Sequence, residues 1–337
     1  MKLTNVSIRH FKSLSEVDVE LHPRVTVVVG PNAVGKSNFV DALRFLRDAA
    51  TSSLQDAIAR RDGIARIRPQ NMGIHTPIEL RARLTHPTGA ASSDLNYFEV
   101  ITTGSTNDNS LAFAELESPE RLIHDIQDWK FSALNAHTLR TLSAQDTDEP
   151  LREDGSNWAS VIRAAKRSSK GRQMLERITE MMQVVLPDFQ GVSVISAGSY
   201  LVPQFKFGQD KSSTRTFDPV QLSDGTLRIF GILLSLYQSP TPSLMVIEEP
   251  EQTVHPGVLS MLAEAFKEVS EVTQIIVTTH SPQLVEHFDP EHIRVVTMTD
   301  GATQISPIKA AQREAVQRGL MTLGEFMAAE GLQPETP

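Results

Sequence analysis

The sequence predicts an α/β fold with a mainly parallel core sheet, because three apolar runs have the character of buried strands. Residues 25–29 contain only valine and threonine, residues 244–247 are apolar, and residues 275–277 are isoleucine and valine. Unbroken runs of this kind are typical of strands that are covered on both faces. A glycine-rich loop follows the first run, paired carboxylates follow the second, and a histidine comes shortly after the third. Open α/β sheets bind ligands at the carboxyl ends of their strands, so each of these segments is a candidate functional site.

The glycine-rich loop lies between the first strand and a predicted helix, whose apolar face is formed by Phe39, Leu43 and Leu46. In such a loop, glycines let the backbone N–H groups point at phosphate oxygens, and the helix N-terminus adds positive charge. Lys36 is expected to reach the β- and γ-phosphates of a nucleotide, and the hydroxyl of Ser37 to bind Mg²⁺. An ordinary glycine turn is the alternative. The predicted nucleotide-binding residues of this segment are Gly30, Pro31, Asn32, Ala33, Val34, Gly35, Lys36, Ser37 and Asn38.

Glu248 and Glu249 are the paired carboxylates at the end of the second strand. We expect the first to hold Mg²⁺ through a coordinated water, and the second to orient or deprotonate the water that attacks a phosphate. A solvated acidic turn is the alternative for this pair.

His280 closes the third strand, and a neutral imidazole there can hydrogen-bond a γ-phosphate or the attacking water. The alternative is a strand-end histidine that caps the next turn. Most of the 10 histidines of the chain must have such ordinary roles.

The remaining segments suggest one head with an insertion, because the first and last motifs interleave along the chain. We expect residues 1–60 and 215–310 to form the nucleotide-binding core of a single head that spans residues 1–337. Within residues 75–115, the runs 78–84 and 97–101 alternate between apolar and polar, which indicates a half-exposed antiparallel sheet. Residues 117–190 are predicted to be a helical insertion lobe, and residues 311–337 a C-terminal helix and tail.

Composition agrees with a globular protein, at 40% hydrophobic and 22% charged residues. The absence of cysteine excludes disulfides and cysteine-bound metals, and it fits a reducing cytoplasm, where we expect the protein to work. We find no secretory leader and no stretch near the ~20 apolar residues that span a membrane, so no membrane partner is expected.

The net charge of −9 gives no general attraction to nucleic acid, but one local stripe is basic. Arg163, Lys166, Arg167 and Lys170 have the spacing of one helix face, which would form a track for DNA phosphates. A solvated charged face is the alternative, and the serines and glycine at 168, 169 and 171 can break the helix.

The ordered set of motifs resembles the ABC-type ATPase heads of the SMC, RecF and OLD group, and is most similar to small stand-alone members related to RecF. Residues 8–14 resemble the opening strand of these heads, residues 222–226 their signature loop, and residues 248–256 their Walker B and D-loop. His280 matches the switch histidine. The resemblance implies an ATPase that uses ATP and Mg²⁺ on a head with a parallel core sheet, a second antiparallel sheet and a helical insertion.

The resemblance also assigns residues that the pattern alone does not. Phe11 and Lys12 would approach the nucleotide. Gln70 is the candidate for the Q-loop ligand of the metal, and a solvated loop glutamine is the alternative. Ser223, Gly225 and Thr226 would contact ATP held by a second copy of the chain. This implies a head-to-tail homodimer with two ATP molecules between the copies, closed by ATP and released by hydrolysis.

Three positions depart from the family pattern. Ala33 and Val34 replace a common Gly-Ser at variable loop positions, and Glu248 stands where aspartate is more usual. Asp224 replaces a signature glycine and brings a negative charge towards the γ-phosphate, so we expect hydrolysis to be slow.

Three functional hypotheses follow. The first is an ATPase whose dimerisation acts as a switch in a DNA-transaction or anti-phage defence system, with a separately encoded effector such as a nuclease or toxin. The second is a RecF-like clamp that uses ATP to hold DNA during repair. The third is an ATP-binding scaffold with little hydrolysis. The interval between Lys36 and Ser223 leaves room for a short lobe but not a long coiled coil, and too few residues follow His280 for a nuclease domain.

Overall fold

Strands of the protein group into parallel and antiparallel sheets, with helices packed on them. The computed structural model describes residues 1–69, 72–73, 75–85, 96–102, 110–113, 119–145, 150–209 and 213–335. The strands are β1 (Lys2–Phe11), β2 (Leu14–Glu20), β3 (Val25–Val29), β4 (Ile78–Thr85), β5 (Asn96–Thr102), β6 (Ser110–Phe113), β7 (Lys130–Ser132), β8 (Ser143–Ala144), β9 (Phe189–Ala197), β10 (Tyr200–Phe207), β11 (Arg215–Phe217), β12 (Leu244–Glu248), β13 (Gln274–Thr279), β14 (Ile293–Thr299) and β15 (Ala302–Pro307). The helices are α1 (Lys36–Thr51), α2 (Leu54–Ala59), α3 (Ile64–Ile67), α4 (Pro119–Gln127), α5 (Ala136–Arg140), α6 (Trp158–Ala165), α7 (Ser169–Val185), α8 (Asp224–Tyr237), α9 (Leu259–Val269), α10 (Pro282–Val285), α11 (Ala310–Gln317) and α12 (Leu323–Ala329).

The chain divides into two compact units. The first, which we call the phosphate-loop unit, comprises Met1–Trp129, Pro242–Val246 and Ser270–Pro337. The second, the signature unit, comprises Lys130–Thr241 and Ile247–Val269. Strand β12 begins in the first unit and its last two residues belong to the second. The single head predicted from the interleaved motifs, with its internal boundaries, stays a prediction.

The core of the phosphate-loop unit is a sheet in which β3 lies between β14 and β13 and runs parallel to both. Every side chain of β3 and of β13 is buried, as expected for strands covered on both faces. Strand β15 pairs antiparallel with β14, and the first residues of β12 continue the sheet beyond β13. This arrangement confirms the parallel core that the apolar runs predict.

A second sheet in this unit is antiparallel, with the strand order β2-β1-β4-β5-β6. Strand β4 alternates between buried and less buried residues along its length, so the apolar–polar alternation of its sequence corresponds to a strand with one buried face. Helix α1 buries Phe39, Leu43 and Leu46, the three residues that the helical spacing singled out. Both predictions are therefore confirmed.

The signature unit contains another antiparallel sheet, formed by β8, β9, β10 and β11, next to α6, α7 and α8. Its core is aromatic: the ring of Phe205 lies 5.1 Å from that of Phe230 and 5.8 Å from that of Trp158. Because buried aromatic pairs contribute both area and specific ring contacts, this cluster anchors α6 and α8 on the sheet.

The basic residues at 163–170 do not lie on one helix, and the helix break that the serines and glycine at 168, 169 and 171 allowed is present. Helix α6 ends at Ala165, and the side chain of Ser168 accepts a hydrogen bond from the backbone N–H of Gly171, which starts the new helix α7. A Cβ atom at position 171 would overlap the backbone of Ala165, so glycine is needed where the two helices meet. Arg163 and Lys170 therefore lie on different helices.

Among the described residues, no helix combines the length and the apolar character that crossing a membrane requires.

Candidate nucleotide-binding site

The loop after β3 has the backbone geometry of a phosphate cradle. Ala33 and Gly35 have positive φ angles of 66° and 105°, the left-handed conformation that turns the chain sharply. A Cβ atom at Gly30 would overlap the carbonyl oxygen of Val296 on the neighbouring strand. The loop therefore needs glycine at positions 30 and 35, one for close approach and one for its conformation.

Lys36 is 5% exposed, and its ammonium group lies inside the loop. Its Nζ donates to the carbonyl oxygens of Gly30 (2.7 Å) and Pro31 (2.9 Å). This places the cation among the backbone groups that would surround phosphate oxygens.

The N-terminus of α1 fits an anion and its metal. Gly35, at the cap position, has no side chain to satisfy the first N–H groups, and the first turn carries no acid. Ser37 is exposed in that turn, so its hydroxyl can take a Mg²⁺ ion next to a bound phosphate. The loop therefore fits a nucleotide triphosphate with its metal.

A chain of hydrogen-bonded hydroxyl groups supports the phosphate loop. The Nδ2 of Asn38 donates to the Oγ of Ser13 (2.7 Å), which lies 2.6 Å from the Oγ1 of Thr303. Thr303, fully buried on β15, donates in turn to the carbonyl oxygen of Val34 (2.8 Å). Because the hydrogen of Thr303 is used on Val34, Ser13 must donate to Thr303, and both hydroxyl hydrogens have a partner.

His280 lies at the same edge of the sheet as the loop. Thr279 pairs in parallel register with Val29, so the next residue of each strand, His280 and Gly30, are neighbours. The turn that follows is capped by Ser281, whose Oγ accepts from the N–H of Leu284. The capping role, which was the alternative for His280, therefore belongs to Ser281.

Phe11 and Lys12 make contacts inside the unit. The ring of Phe11 is fully buried and lies 5.6 Å from that of Phe45, a position that fits core packing. Lys12 forms an ion pair of 2.7 Å with Asp41, which also pairs with Arg61. Burial opposes ionisation of Asp41, but hydrogen bonds from Arg61 and Lys12 hold its pKa below the usual value. Contact of Phe11 and Lys12 with a nucleotide stays a prediction, and Gln70 lies outside the described residues.

In the signature unit, the paired carboxylates lie on a tightly held turn. Glu249 has a positive φ of 43°, a conformation that costs energy in a residue other than glycine and that clusters at functional sites. Its Oε2 accepts from the Nε2 of Gln252 at 2.6 Å. Glu248 and Glu249 are both half-buried.

Arg228 fixes this turn from α8. Its guanidinium donates to the carbonyl oxygens of Glu248 (3.2 Å), Glu249 (2.9 Å) and Leu134 (2.9 Å). Burial lowers the pKa of Arg228, and the charges of Glu251 and Glu249 oppose that shift. The sequence gives no sign of this role, because three carbonyl acceptors from separate segments leave no pattern along the chain.

The signature loop caps α8. The Oγ of Ser223 accepts from the N–H of Thr226 at 3.1 Å and lies 2.8 Å from its hydroxyl. A Cβ atom at Gly225 would lie 2.5 Å from the carbonyl oxygen of Thr253, so the glycine allows the segment after the carboxylates to approach the helix. Ser223 is exposed, and a helix N-terminus with an exposed hydroxyl can receive a phosphate.

Each unit thus carries part of an ATPase chemistry. The phosphate-loop unit offers a cradle, an ammonium group, a hydroxyl and an imidazole. The signature unit offers two carboxylates on a fixed turn and an exposed helix N-terminus. These are the group types that phosphoryl transfer to water requires.

Family models match both halves of the chain. Residues 92–286 match the model described as "AAA domain, putative AbiEii toxin, Type IV TA system", and residues 1–153 match that of an AAA ATPase domain. The first match covers more than half of the chain.

Curated relatives are DNA replication and repair proteins named RecF. The chain is 22% identical to RecF of Ligilactobacillus salivarius over 364 residues, a match that covers 90% of this chain and 93% of the relative. It is 32% identical to RecF of Lactobacillus johnsonii over 92 residues, which cover 26% of this chain and 24% of the relative.

Solved SMC heads have the same fold. A head bound to the C-winged helix domain of ScpA superposes with a TM-score of 0.66 at 15% identity, covering 93% of this chain and 99% of that chain. The SMC head from Thermotoga maritima gives a TM-score of 0.55 at 18% identity, covering 92% and 100%. The predicted fold class is thereby confirmed. The chain belongs to the AAA-domain family whose model matches residues 92–286; in sequence it is similar to RecF proteins, and in fold to SMC heads.

Proposed function

We propose that this protein binds ATP with Mg²⁺ and hydrolyses it, and that ATP closes two copies head to tail. The observation that carries the proposal is the phosphate cradle, in which Lys36 lies inside a loop that accepts only glycine at positions 30 and 35. The match of residues 1–153 to the model of an AAA ATPase domain supports the same chemistry.

The residues then have distinct roles in hydrolysis. The loop amides and Lys36 would bind the β- and γ-phosphates, while Ser37 and Glu248 would hold Mg²⁺, which when bound would neutralise charge on the phosphate oxygens. Glu249 accepts a proton from the water that attacks the γ-phosphorus, and His280 hydrogen-bonds the γ-phosphate or that water. The bond to the β–γ bridging oxygen breaks, and ADP and phosphate leave.

The exposed N-terminus of α8 supports the dimer. Ser223 and Gly225 would close over the γ-phosphate held by a second copy, so ATP would stabilise the closed pair and hydrolysis would release it. Such a cycle is a switch, and we propose that it acts in a DNA transaction or in anti-phage defence with a separate effector such as a nuclease or toxin. Two solved SMC heads of this fold are bound to a domain of ScpA, which supports a protein partner.

A second candidate is a RecF-like clamp that holds DNA during repair. The match to RecF of Ligilactobacillus salivarius over 90% of this chain favours it. In this case ATP would close the pair around DNA, and hydrolysis would serve only for release.

The mass in solution of a Glu249→Gln variant, with and without ATP and Mg²⁺, tests the proposed switch. Removing the base should trap ATP between two copies, so we expect a shift from monomer to dimer or a tighter dimer. The shift should disappear when Ser223→Arg is added, whereas Glu264→Gln, a surface acid of α9, should behave as the unmodified protein. Binding of ATP without any change in mass would show that the signature loop does not close over a second copy.

A further inference from the structure

The signature loop carries an acid, and an arginine of the same unit is bound to it. The guanidinium of Arg140 forms an ion pair with the carboxylate of Asp224 and donates to the carbonyl oxygen of Leu222 at 2.6 Å. Arg140 thus binds Leu222 and Asp224, the residues on either side of Ser223. Arg140 is 28% exposed and Asp224 is 52% exposed, so the pair lies at the surface that the loop presents.

The fold delivers Arg140 to this position. It is the last residue of α5, whose N-cap Asn135 accepts from the N–H of His137. A Cβ atom at Gly231 would lie 2.8 Å from a methyl group of Leu134, so the segment before α5 packs closely on α8. The geometry is therefore built into the packing of the unit.

Asp224 has opposite effects on the free and the closed loop. As the first residue of α8, its carboxylate interacts favourably with the positive end of the helix. The same carboxylate repels a γ-phosphate that approaches Ser223, because like charges brought together at an interface weaken association strongly. A glycine at this position would need no counter-charge, whereas Asp224 does.

We propose that Arg140 is a positioning residue that makes the acidic signature loop able to accept a phosphate. It neutralises Asp224 and fixes the turn from Leu222 to Asp224, so that Ser223 and Gly225 can close over the γ-phosphate held by a second copy. This inference rests on the proposed ATP-dependent dimer. It predicts that Arg140 is required for dimerisation only when residue 224 carries a negative charge.

A double-mutant cycle in the Glu249→Gln background tests this condition. The dissociation constant of the ATP-dependent dimer is measured for Arg140→Gln, for Asp224→Asn and for both changes together. We expect Arg140→Gln to weaken the dimer by about tenfold or more, because it leaves a like charge facing the phosphate. Asp224→Asn should associate at least as tightly as the parent, and the double variant should return to within about threefold of the parent.

Two further measurements separate charge from structure. The defect of Arg140→Gln should shrink between low salt and about 0.5 M salt, because exposed charges are screened there. Arg140→Lys should lie between the parent and Arg140→Gln, because it keeps the charge but not the two-pronged guanidinium. Thermal unfolding and binding of ATP to the separate copies should match the parent.

The outcomes are distinct. A double variant as defective as Arg140→Gln, or a lysine variant no better than glutamine, would overturn the proposal, because Arg140 would then not act by balancing Asp224. If Arg140→Gln does not fold, the comparison of Arg140→Lys with and without Asp224→Asn decides the same question. If the Glu249→Gln parent does not dimerise in the presence of ATP, the proposed dimer itself is wrong. That result is obtained before Arg140 or Asp224 is changed, so it is distinct from a failure of the present proposal.

Discussion

At the scale of single residues, the hydroxyl chain beneath the phosphate loop ends on Thr303, a residue that no sequence pattern singles out. It lies 269 positions after Val34, the residue whose carbonyl it binds. A threonine on a strand is the most ordinary placement for this residue type, because β-branched side chains pack well there. Only the fold reveals that its hydroxyl supports the nucleotide loop.

Replacing Thr303 with valine should loosen the loop without disturbing the core, since the two side chains have similar shape. The change removes the donor to Val34 and the acceptor of Ser13, which costs about 1–3 kcal/mol because a buried polar group is left without its partner. We expect weaker ATP binding and a lower melting temperature, measured by nucleotide titration and thermal unfolding. Thr299→Val, at the exposed end of β14, is the matched control. Unchanged ATP affinity in Thr303→Val would show that the hydroxyl chain does not hold the loop in its binding conformation.

Arg140 and Arg228 show the same limit of sequence reasoning. Their partners are far away in the sequence: Arg140 pairs with Asp224 and donates to the carbonyl oxygen of Leu222, and Arg228 donates to the carbonyl oxygen of Glu249. Lys36, by contrast, was predictable because its role depends on glycines and a serine at fixed spacing around it. A residue is visible in a sequence when its chemistry demands particular neighbours along the chain, and invisible when it demands neighbours in space.

At the scale of elements, the turn that joins β2 to β3 depends on a histidine. The N–H groups of Arg24 (3.2 Å) and Val25 (3.4 Å) point at the Nδ1 of His22, and its own N–H donates to the hydroxyl of Thr26. Burial lowers the pKa of His22, as do the neighbouring His292, Arg294 and Arg24, while Glu291 opposes the shift. The neutral form is therefore the one that the folded turn prefers.

This preference predicts that the phosphate-loop unit loses stability in mild acid. Because the folded pKa of His22 is below the ordinary 6.5, its contribution is complete above pH 6.5 and is lost as the pH falls through the lowered value. Asp41 also has a lowered pKa, but its contribution to stability is complete above its ordinary pKa of 3.8 and is lost only below it. The pH range of its effect is therefore separate from that of His22. We expect the melting temperature to fall as the pH drops below 6.5, and to fall less in His22→Asn.

The exposed His75→Gln is the control for this experiment, since it removes a histidine without touching the turn. A slope with pH that is the same in His22→Asn as in the unmodified protein would assign the acid sensitivity to other groups.

Elements were predicted well where one face or both faces are buried, and poorly where charge spacing was the only guide. The apolar run of β3 and the alternation of β4 follow from burial, which the fold imposes on every residue of a strand. Burial places no such constraint on the basic residues, because exposed side chains need not follow the period of a helix or a strand. The break between α6 and α7 was decided instead by the cap at Ser168 and the close contact at Gly171.

At the scale of the whole molecule, charge separates the two functional candidates. The net charge of −9 gives no long-range attraction to nucleic acid, and binding to duplex DNA at physiological salt depends on cations that neutralise phosphates. Lys166, Arg167 and Lys170 are exposed between and at the start of two helices, so they offer local cations but no continuous track. A second group of basic residues, Arg60, Arg61, Arg66 and Arg68, offers less, because Arg61 is paired with Asp41 and Asp48.

We therefore expect duplex DNA to bind weakly, with a dissociation constant of about 10⁻⁶ M or higher, whether or not ATP is present. Fluorescence anisotropy with labelled duplex DNA, in the Glu249→Gln background and at several salt concentrations, measures this directly. Neutralising Lys166, Arg167 and Lys170 together should leave the ATP-dependent change in mass intact, because the proposed dimer forms through the phosphate and signature loops. A RecF-like clamp makes the opposite prediction, since ATP would then tighten DNA binding and neutral side chains at these positions would weaken it. Tight DNA binding that requires ATP would replace the effector-linked switch with the clamp, and it would do so without altering the proposed chemistry of ATP.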